Sequence, residues 1–276
     1  MGIFRYPGGK LKLLEPIKEY LYPYLKRSNS FTEPFVGGGS VLCEVAKDFP
    51  NMKLFANDKD HSIYAFWKML ANDDDKQLKA FYDLINQKPT VELFEKMRKT
   101  GPIGYLADHA YFAVFFNRTA FSGIQTSGPI GGYEQKSKYT IYCRYNAKRI
   151  IKECEELRGL FRGRLIVTNE DCVSYVLKAS GPMYLDPPYY VKGKELYPVF
   201  MRNQEHADLA DVLRSKRDWV LSYDICPEIS EIYRWADTTT LDALYSIRDK
   251  KTKWTPKKEY IILPPGDLKK HEGRIA

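Results

Sequence analysis

Cysteine is scarce and unpatterned in this chain. The five present, Cys43, Cys143, Cys154, Cys172 and Cys226, form no Cys-x-x-Cys pair and no Cys/His metal spacing. Their odd number argues against a disulfide framework, so a reducing, intracellular setting without a structural metal fits that usage. No stretch approaches the roughly 20 consecutive apolar residues that cross a bilayer. Met1 is followed by Gly-Ile-Phe-Arg-Tyr-Pro-Gly-Gly-Lys, without the apolar core of an export signal, and the expected location is the cytoplasm. Internal repeats and low-complexity tracts are absent as well. Acidic residues are in deficit: Lys plus Arg number 43 against 35 Asp plus Glu, giving a formal net charge of +8 and a pI near 9.0. That balance favours a polyanionic partner, although many basic proteins bind no nucleic acid.

What is present is a chain of 276 residues, long enough for a sizeable core. Apolar residues at three- and four-residue spacing across 11–25 predict a helix fed by a loop over 6–10. Residues 31–35 read as a short strand that runs into Val36-Gly-Gly-Gly-Ser40, and a helical pattern restarts at Val41. A second strand over 52–56 ends at Asn57-Asp58, about twenty residues beyond the glycine turn, where an acidic residue suits a ribose. The strand-helix alternation then stops. Residues 63–151 read as an inserted, mainly helical domain between two parts of a sheet domain, 1–62 and 152–276. Alternation resumes with strands over 165–168, 182–185, 219–223 and 260–263. The expected architecture is α/β: an open, largely parallel sheet with a helical insertion beside its ligand cleft.

Asp186-Pro187-Pro188-Tyr189 follows the apolar run Met183-Tyr-Leu185, at the carboxyl end of a strand, where open α/β sheets place their ligands. A carboxylate and the Pro187 carbonyl can each accept one N–H of an exocyclic amine and so free the nitrogen lone pair from conjugation. Two prolines hold that backbone in place, and Tyr189 offers an aromatic face to a base. The glycine triplet lacks the Lys-Ser or Lys-Thr of a phosphate loop, which disfavours triphosphate hydrolysis. No nucleophile triad is recognisable, and no Pro-Cys loop is present, since Cys226 precedes Pro227.

Phe4-Arg-Tyr-Pro-Gly-Gly-Lys10, Thr32-Glu-Pro-Phe-Val-Gly-Gly-Gly-Ser40, Asn57-Asp58 and Asp186-Pro-Pro-Tyr189, in that order, resemble the Dam-type, D12-class DNA adenine methyltransferases. The similarity spans nearly the whole chain. It implies a Rossmann-like, S-adenosylmethionine-dependent sheet whose insertion is a target-recognition domain, and transfer of a methyl group to N6 of an adenine flipped out of duplex DNA. By that resemblance Tyr6 and Lys10 contact the cofactor. Glu33, Phe35, Gly37 and Gly39 wrap its methionine end, and Asp58 holds its ribose. Asp186 stands next to both cofactor and target amine. Asp171, in Thr168-Asn-Glu-Asp-Cys172, resembles the family's acidic position near the cofactor adenine, and a helix N-cap explains it nearly as well.

On the DNA side, Asn117 and Arg118 end the apolar segment Tyr111-Phe-Ala-Val-Phe-Phe and are candidate contacts. Lys138 and Arg144, with Lys136, Lys148 and Arg149, are interleaved with Tyr133, Tyr139, Tyr142 and Tyr145, a mixture that suits phosphates and stacking, or an ordinary solvated face. His206 reads as structural. An N4-cytosine methyltransferase shares the amine chemistry, and a silent DNA-binding protein of the same fold would show damage at Tyr6, Lys10, Asp58 or Asp186, which are intact. A cognate restriction endonuclease is a candidate partner that activity does not require.

Overall fold

The computed structural model describes residues 4, 9–72, 74–191, 193, 198–243 and 257–270. Five strands run parallel: β1 (Ser30–Glu33), β2 (Lys53–Asn57), β3 (Leu165–Thr168), β4 (Met183–Leu185) and β5 (Trp219–Asp224). Two more, β6 (Asp237–Ala243) and β7 (Lys257–Leu263), complete a seven-stranded sheet of order β3-β2-β1-β4-β5-β7-β6. β7 lies between β5 and β6 and runs antiparallel to both.

Alternation along the strands divides the core into two layers, because successive side chains point to opposite faces. Tyr184, Val220, Ile261 and Leu263 face one layer. Met183, Leu185, Trp219, Leu221 and Ile262 face the other. Both faces are covered by helices, which is why β4 is buried at every position and β5 at all but its last.

On the first face lie α1 (Leu14–Leu25), α2 (Ser40–Asp48), α3 (His61–Ala71), α4 (Asp75–Ile85), α5 (Val91–Thr100), α6 (Leu106–Thr119) and α7 (Ala147–Phe161). α1 starts three residues later than its periodicity suggests, because Lys10–Lys12 form a 3-10 turn that tucks Lys10 inward. α6 is buried almost all round, as an interior helix rich in Phe and Ala should be, and it packs on α3, α4 and α5. α3 also packs on β3 and α7, so the helices that follow β2 share one apolar core with the sheet. The opposite face carries α8 (Cys172–Lys178), α9 (Asn203–Arg214) and α10 (Pro227–Ile232). Among the described residues no helix is long and apolar enough to cross a membrane.

Six of the seven strands fall where the sequence patterns put them, within one to three residues at either end. The exception is β6, Asp237-Thr-Thr-Thr-Leu-Asp-Ala, which is polar and so carries no apolar alternation. Its three threonines are β-branched, and it forms the sheet's edge, where one side needs no apolar cover.

Candidate active site

The carboxyl ends of β1, β2 and β4 lie side by side, because those strands are parallel neighbours in the sheet. Each ends in one of the predicted motifs. β1 ends at Glu33, and the chain turns through Pro34 to Gly39 before α2 begins. Gly37 and Gly39 both have positive φ, 42° and 60°, a region that costs an L side chain energy. The turn is pinned from three sides. Val36 donates to the Asn57 carbonyl at 3.0 Å, Gly37 N–H to Asp58 Oδ2 at 2.8 Å, and the Trp67 indole N–H to the Gly37 carbonyl at 2.9 Å. A Cβ on Gly37 would enter open space, whereas one on Gly39 would lie 2.3 Å from Trp67 Cζ2.

Glu33 is buried, and its Oε2 accepts from the Leu42 amide in the first turn of α2, where the helix dipole favours an anion. Burial pushes this carboxyl well above the usual carboxylate range, and the nearby Asp186 charge adds to the effect. Phe35 is buried in the second core layer, beneath the turn. Asn57 is fully buried and staples three segments. Its amide donates to the Pro34 and Glu170 carbonyls at 3.2 Å each, and its Oδ1 accepts from Glu170 N–H at 2.8 Å. Asp58 Oδ1 accepts from Asp60 N–H at 2.9 Å. Burial, reinforced by the Asp60 charge, raises the Asp58 carboxyl to about 7.

The tetrapeptide after β4 is built round a buried cluster. Lys10 Nζ lies 2.8 Å from Asp186 Oδ1 and 3.2 Å from Glu259 Oε2. The Tyr189 hydroxyl donates to Glu259 Oε1 at 2.7 Å, and Lys10 Nζ stands 5.5 Å from the centroid of the Tyr189 ring. Burial alone would drive the Lys10 ammonium down, but Asp186 and Glu259 hold it well above its ordinary value. Asp186 is raised to about 6, by burial first and by Glu259 second, against the pull of Lys10. Downstream, Asp224 at the end of β5 accepts from Tyr190 N–H at 3.0 Å and so anchors the loop that carries the motif.

The structure thus gathers Lys10, Asp186 and Tyr189 in one cluster and the Gly37–Gly39 turn with Asp58 in a second, on adjacent strands. Tyr6 lies outside the described residues. Asp171 N-caps α8 by accepting from Ser174 N–H at 3.1 Å, and pairs with Lys59 at 3.2 Å. His206 is structural: it is buried, with Nδ1 2.6 Å from the Tyr223 hydroxyl.

Two expected DNA contacts are placed otherwise. Asn117 and Arg118 are only 6% and 9% exposed, and Arg118 pairs with Glu153 of α7 at 2.9 Å, so both side chains are taken up in the packing around α6. The helix that ends at Thr119 is interior on every face, and residues at its end share that burial. Lys138 and Arg144 are exposed, as are Tyr133, Tyr139 and Tyr142. Glu259 escaped sequence reasoning. Glu259 left a readable trace: in period-two register it shares a face with Ile261 and Leu263, and a carboxylate on the apolar face of a strand is an anomaly.

What the glycine turn, Asp58 and the tetrapeptide have in common is one edge of one sheet. Together with the strand order, this places the chain among the Rossmann-like methyltransferases. Comparison with known proteins narrows the class. The family described as D12 class N6 adenine-specific DNA methyltransferase matches residues 6–247, and the chain belongs to it. The Type II methyltransferase M.MjaIII of Methanocaldococcus jannaschii is 24% identical over 205 residues, covering 67% of this chain and 68% of that protein. The substrate class is accordingly DNA, and the second substrate a methyl donor.

Activity is expected to require Asp186 as the carboxylate, because protonation removes its charge and turns one of its two oxygens into a donor, leaving a weaker, neutral acceptor. The carboxyl stands at about 6 in the free protein, so kcat/KM for DNA is expected to be flat above that pH and to fall about tenfold per unit below it. Removing the Lys10 charge takes away the main force favouring ionisation, and Lys10→Met should move the limb to higher pH. A pH-rate series on both proteins checks this.

Proposed function

We propose that the chain transfers a methyl group from S-adenosylmethionine to N6 of an adenine flipped out of duplex DNA, at a specific sequence. The observation that carries this reading is the placement of Asp186, locked by Lys10 at the end of β4 and directly followed by the Pro187 carbonyl. Asp186 Oδ accepts one amine N–H and Pro187 O the other. The nitrogen lone pair then turns toward the methyl donor instead of conjugating with the purine. Pro187 and Pro188 fix that backbone before substrate arrives, so little ordering is left for the reaction itself. Tyr189 supplies the aromatic surface beside the base.

The residues of the neighbouring cluster fit the cofactor. The open space over Gly37 is room that a side chain would fill, and Lys10, Asp186 and Glu259 carry one formal positive charge against two negative, which suits a cationic donor. When bound, S-adenosylmethionine supplies a methyl already activated on a sulfonium, so positioning and charge matter more than a strong base. By the family resemblance Tyr6 and Lys10 would contact it, Glu33, Phe35, Gly37 and Gly39 would hold its methionine end, Asp58 its ribose and Asp171 its adenine.

Target recognition belongs to the 63–151 segment, on the exposed stretch between α6 and α7 that carries Lys138, Arg144 and three exposed tyrosines. Lys138→Ala and Arg144→Ala are each expected to weaken DNA binding and to reduce the salt slope of log K by about 1, the signature of one lost phosphate contact. Titrations of a fluorescent duplex at several salt concentrations measure this, and slopes equal to the parent's would remove the residue from the interface. The site is cytoplasmic in setting, and the Type II label of the archaeal relative extends the proposal to a cognate restriction endonuclease on which the chemistry does not depend.

The decisive experiment incubates the protein with labelled S-adenosylmethionine and unmethylated duplex DNA and analyses the product nucleosides. Labelled N6-methyladenine is expected. Labelled N4-methylcytosine would reassign the substrate, and cofactor binding without transfer to any duplex would reject the reading.

A further inference from the structure

We propose that Glu259 is a positioning residue for methyl transfer: from β7 it clamps Lys10 with one oxygen and the Tyr189 hydroxyl with the other, fixing the Asp186 carboxylate and the Tyr189 ring relative to each other. The proposal rests on the reading of Asp186 as acceptor of the target amine.

Glu259 is 2% exposed, Lys10 4% and Tyr189 7%, so the clamp is shielded from water. The two oxygens of one carboxylate serve two different parts of the site: Oε2 lies 3.2 Å from Lys10 Nζ, and Oε1 accepts from Tyr189 at 2.7 Å. Lys10 carries the restraint on to Asp186 at 2.8 Å. Without Glu259, Lys10 would keep Asp186 as its ion-pair partner, but the Tyr189 hydroxyl would lose the acceptor that holds it at 2.7 Å.

Taking a carboxylate out of water is costly, and the neighbours on its face of β7, Ile261 and Leu263, are apolar. An apolar residue at 259 would serve packing at least as well. A carboxylate there makes physical sense through the groups it holds. The position also lies beyond residues 6–247, the part of the chain that matches the family.

Among the described residues, groups from several elements face this cluster. Lys10 comes from the N-terminal loop, Asp186 and Tyr189 from the motif, and Tyr184 from β4, its hydroxyl bonded to Ser222 of β5. The register partners of Glu259 are Asp224 on β5, which holds the Tyr190 amide, and Leu241 on β6. Glu259 is one of the charges that oppose ionisation of Asp186.

Two substitutions separate its charge from its reach. Glu259→Gln keeps a carbonyl acceptor for Tyr189 but loses the charge. Glu259→Asp keeps the charge but is one methylene too short to serve both partners. With 13C-carboxyl-labelled aspartate, and Asp186→Asn to assign the signal, an NMR titration reads the Asp186 midpoint directly. The expected midpoint is about 6 in the parent, lower by about one unit in Glu259→Gln and unmoved in Glu259→Asp. In both variants kcat at pH 8 should fall about tenfold, with KM for DNA within about twofold.

A Glu259→Gln midpoint equal to the parent's, in protein of matching circular dichroism, would overturn the proposal. Should that variant fail to fold, Tyr189→Phe removes only the clamped hydroxyl; kcat lower by about tenfold supports the clamp, and unchanged kcat overturns it. The titration needs no turnover, so a parent that failed to methylate adenine would sink the functional reading while the midpoints still decided the role of Glu259.

Discussion

Asp186→Ala is expected to lower single-turnover methyl transfer by about three orders of magnitude or more, the scale seen when a preorganised polar group aimed at the reacting centre is removed. On the proposed reading, the substitution deletes the acceptor of one amine N–H and with it part of what frees the nitrogen lone pair from conjugation. It also leaves the buried Lys10 ammonium with Glu259 as its remaining ion-pair partner, so the cluster that fixed the motif slackens. Asp186→Asn should be milder, by about two orders, because its carbonyl oxygen can still accept one hydrogen bond while its charge is gone. Labelled methyl transfer at saturating cofactor measures both, and cofactor binding by calorimetry separates lost chemistry from lost affinity. A decrease smaller than tenfold in Asp186→Ala would remove this carboxylate from the reaction.

Gly39→Ala should cost both fold and cofactor. The backbone there has φ of 60°, and the added Cβ would sit 2.3 Å from Trp67 Cζ2. Trp67 has nowhere to go. Its indole N–H is committed to the Gly37 carbonyl, and its ring packs edge-on against Phe66 and Phe161 at 5.2 and 5.5 Å. Left-handed strain and overpacking together amount to about 2–5 kcal/mol, which lowers the thermal midpoint by on the order of 10 °C. Because the turn itself must shift, affinity for S-adenosylmethionine should fall about a hundredfold or more.

Gly37→Ala is the informative contrast. Its Cβ would meet nothing within 4 Å, so the protein should lose only about 1 kcal/mol from the unfavourable φ while still losing cofactor affinity. Unchanged affinity for S-adenosylmethionine in Gly37→Ala, measured by calorimetry, would mean that the space over Gly37 has no ligand to accommodate.

The parts of this molecule that were legible in the sequence are those dictated by local chemistry. Short β-prone runs located β1 to β5, because a strand covered by helices on both faces has to be apolar. The glycine triplet marked a strand-to-helix turn, and Gly37 and Gly39 make it with positive φ. Asp186-Pro-Pro-Tyr189 advertised itself because a rigid, carboxylate-bearing turn at a strand end is rare.

What stayed hidden was set by long-range packing. Asn117 and Arg118 look like ordinary polar residues at a helix end, and nothing local reveals that α6 is enclosed by α3, α4 and α5, which turns the pair inward. β6 was missed because a polar edge strand carries no apolar alternation to read. Glu259 was missed because its partner Lys10 lies at the opposite end of the chain, and only the folded sheet joins them.

The insertion of β7 between β5 and β6 bears on when, during synthesis, this chain can act. Asp186-Pro-Pro-Tyr189 leaves the ribosome long before β7 does, and β6 pairs only with β7 within the sheet. Until that last strand has been made and has slotted into its interior position, Lys10 and Tyr189 lack the Glu259 clamp. Polypeptides that stall or are cut short after the catalytic motif would therefore be poor modifiers of DNA, and competence would come all at once, with the closing of the sheet.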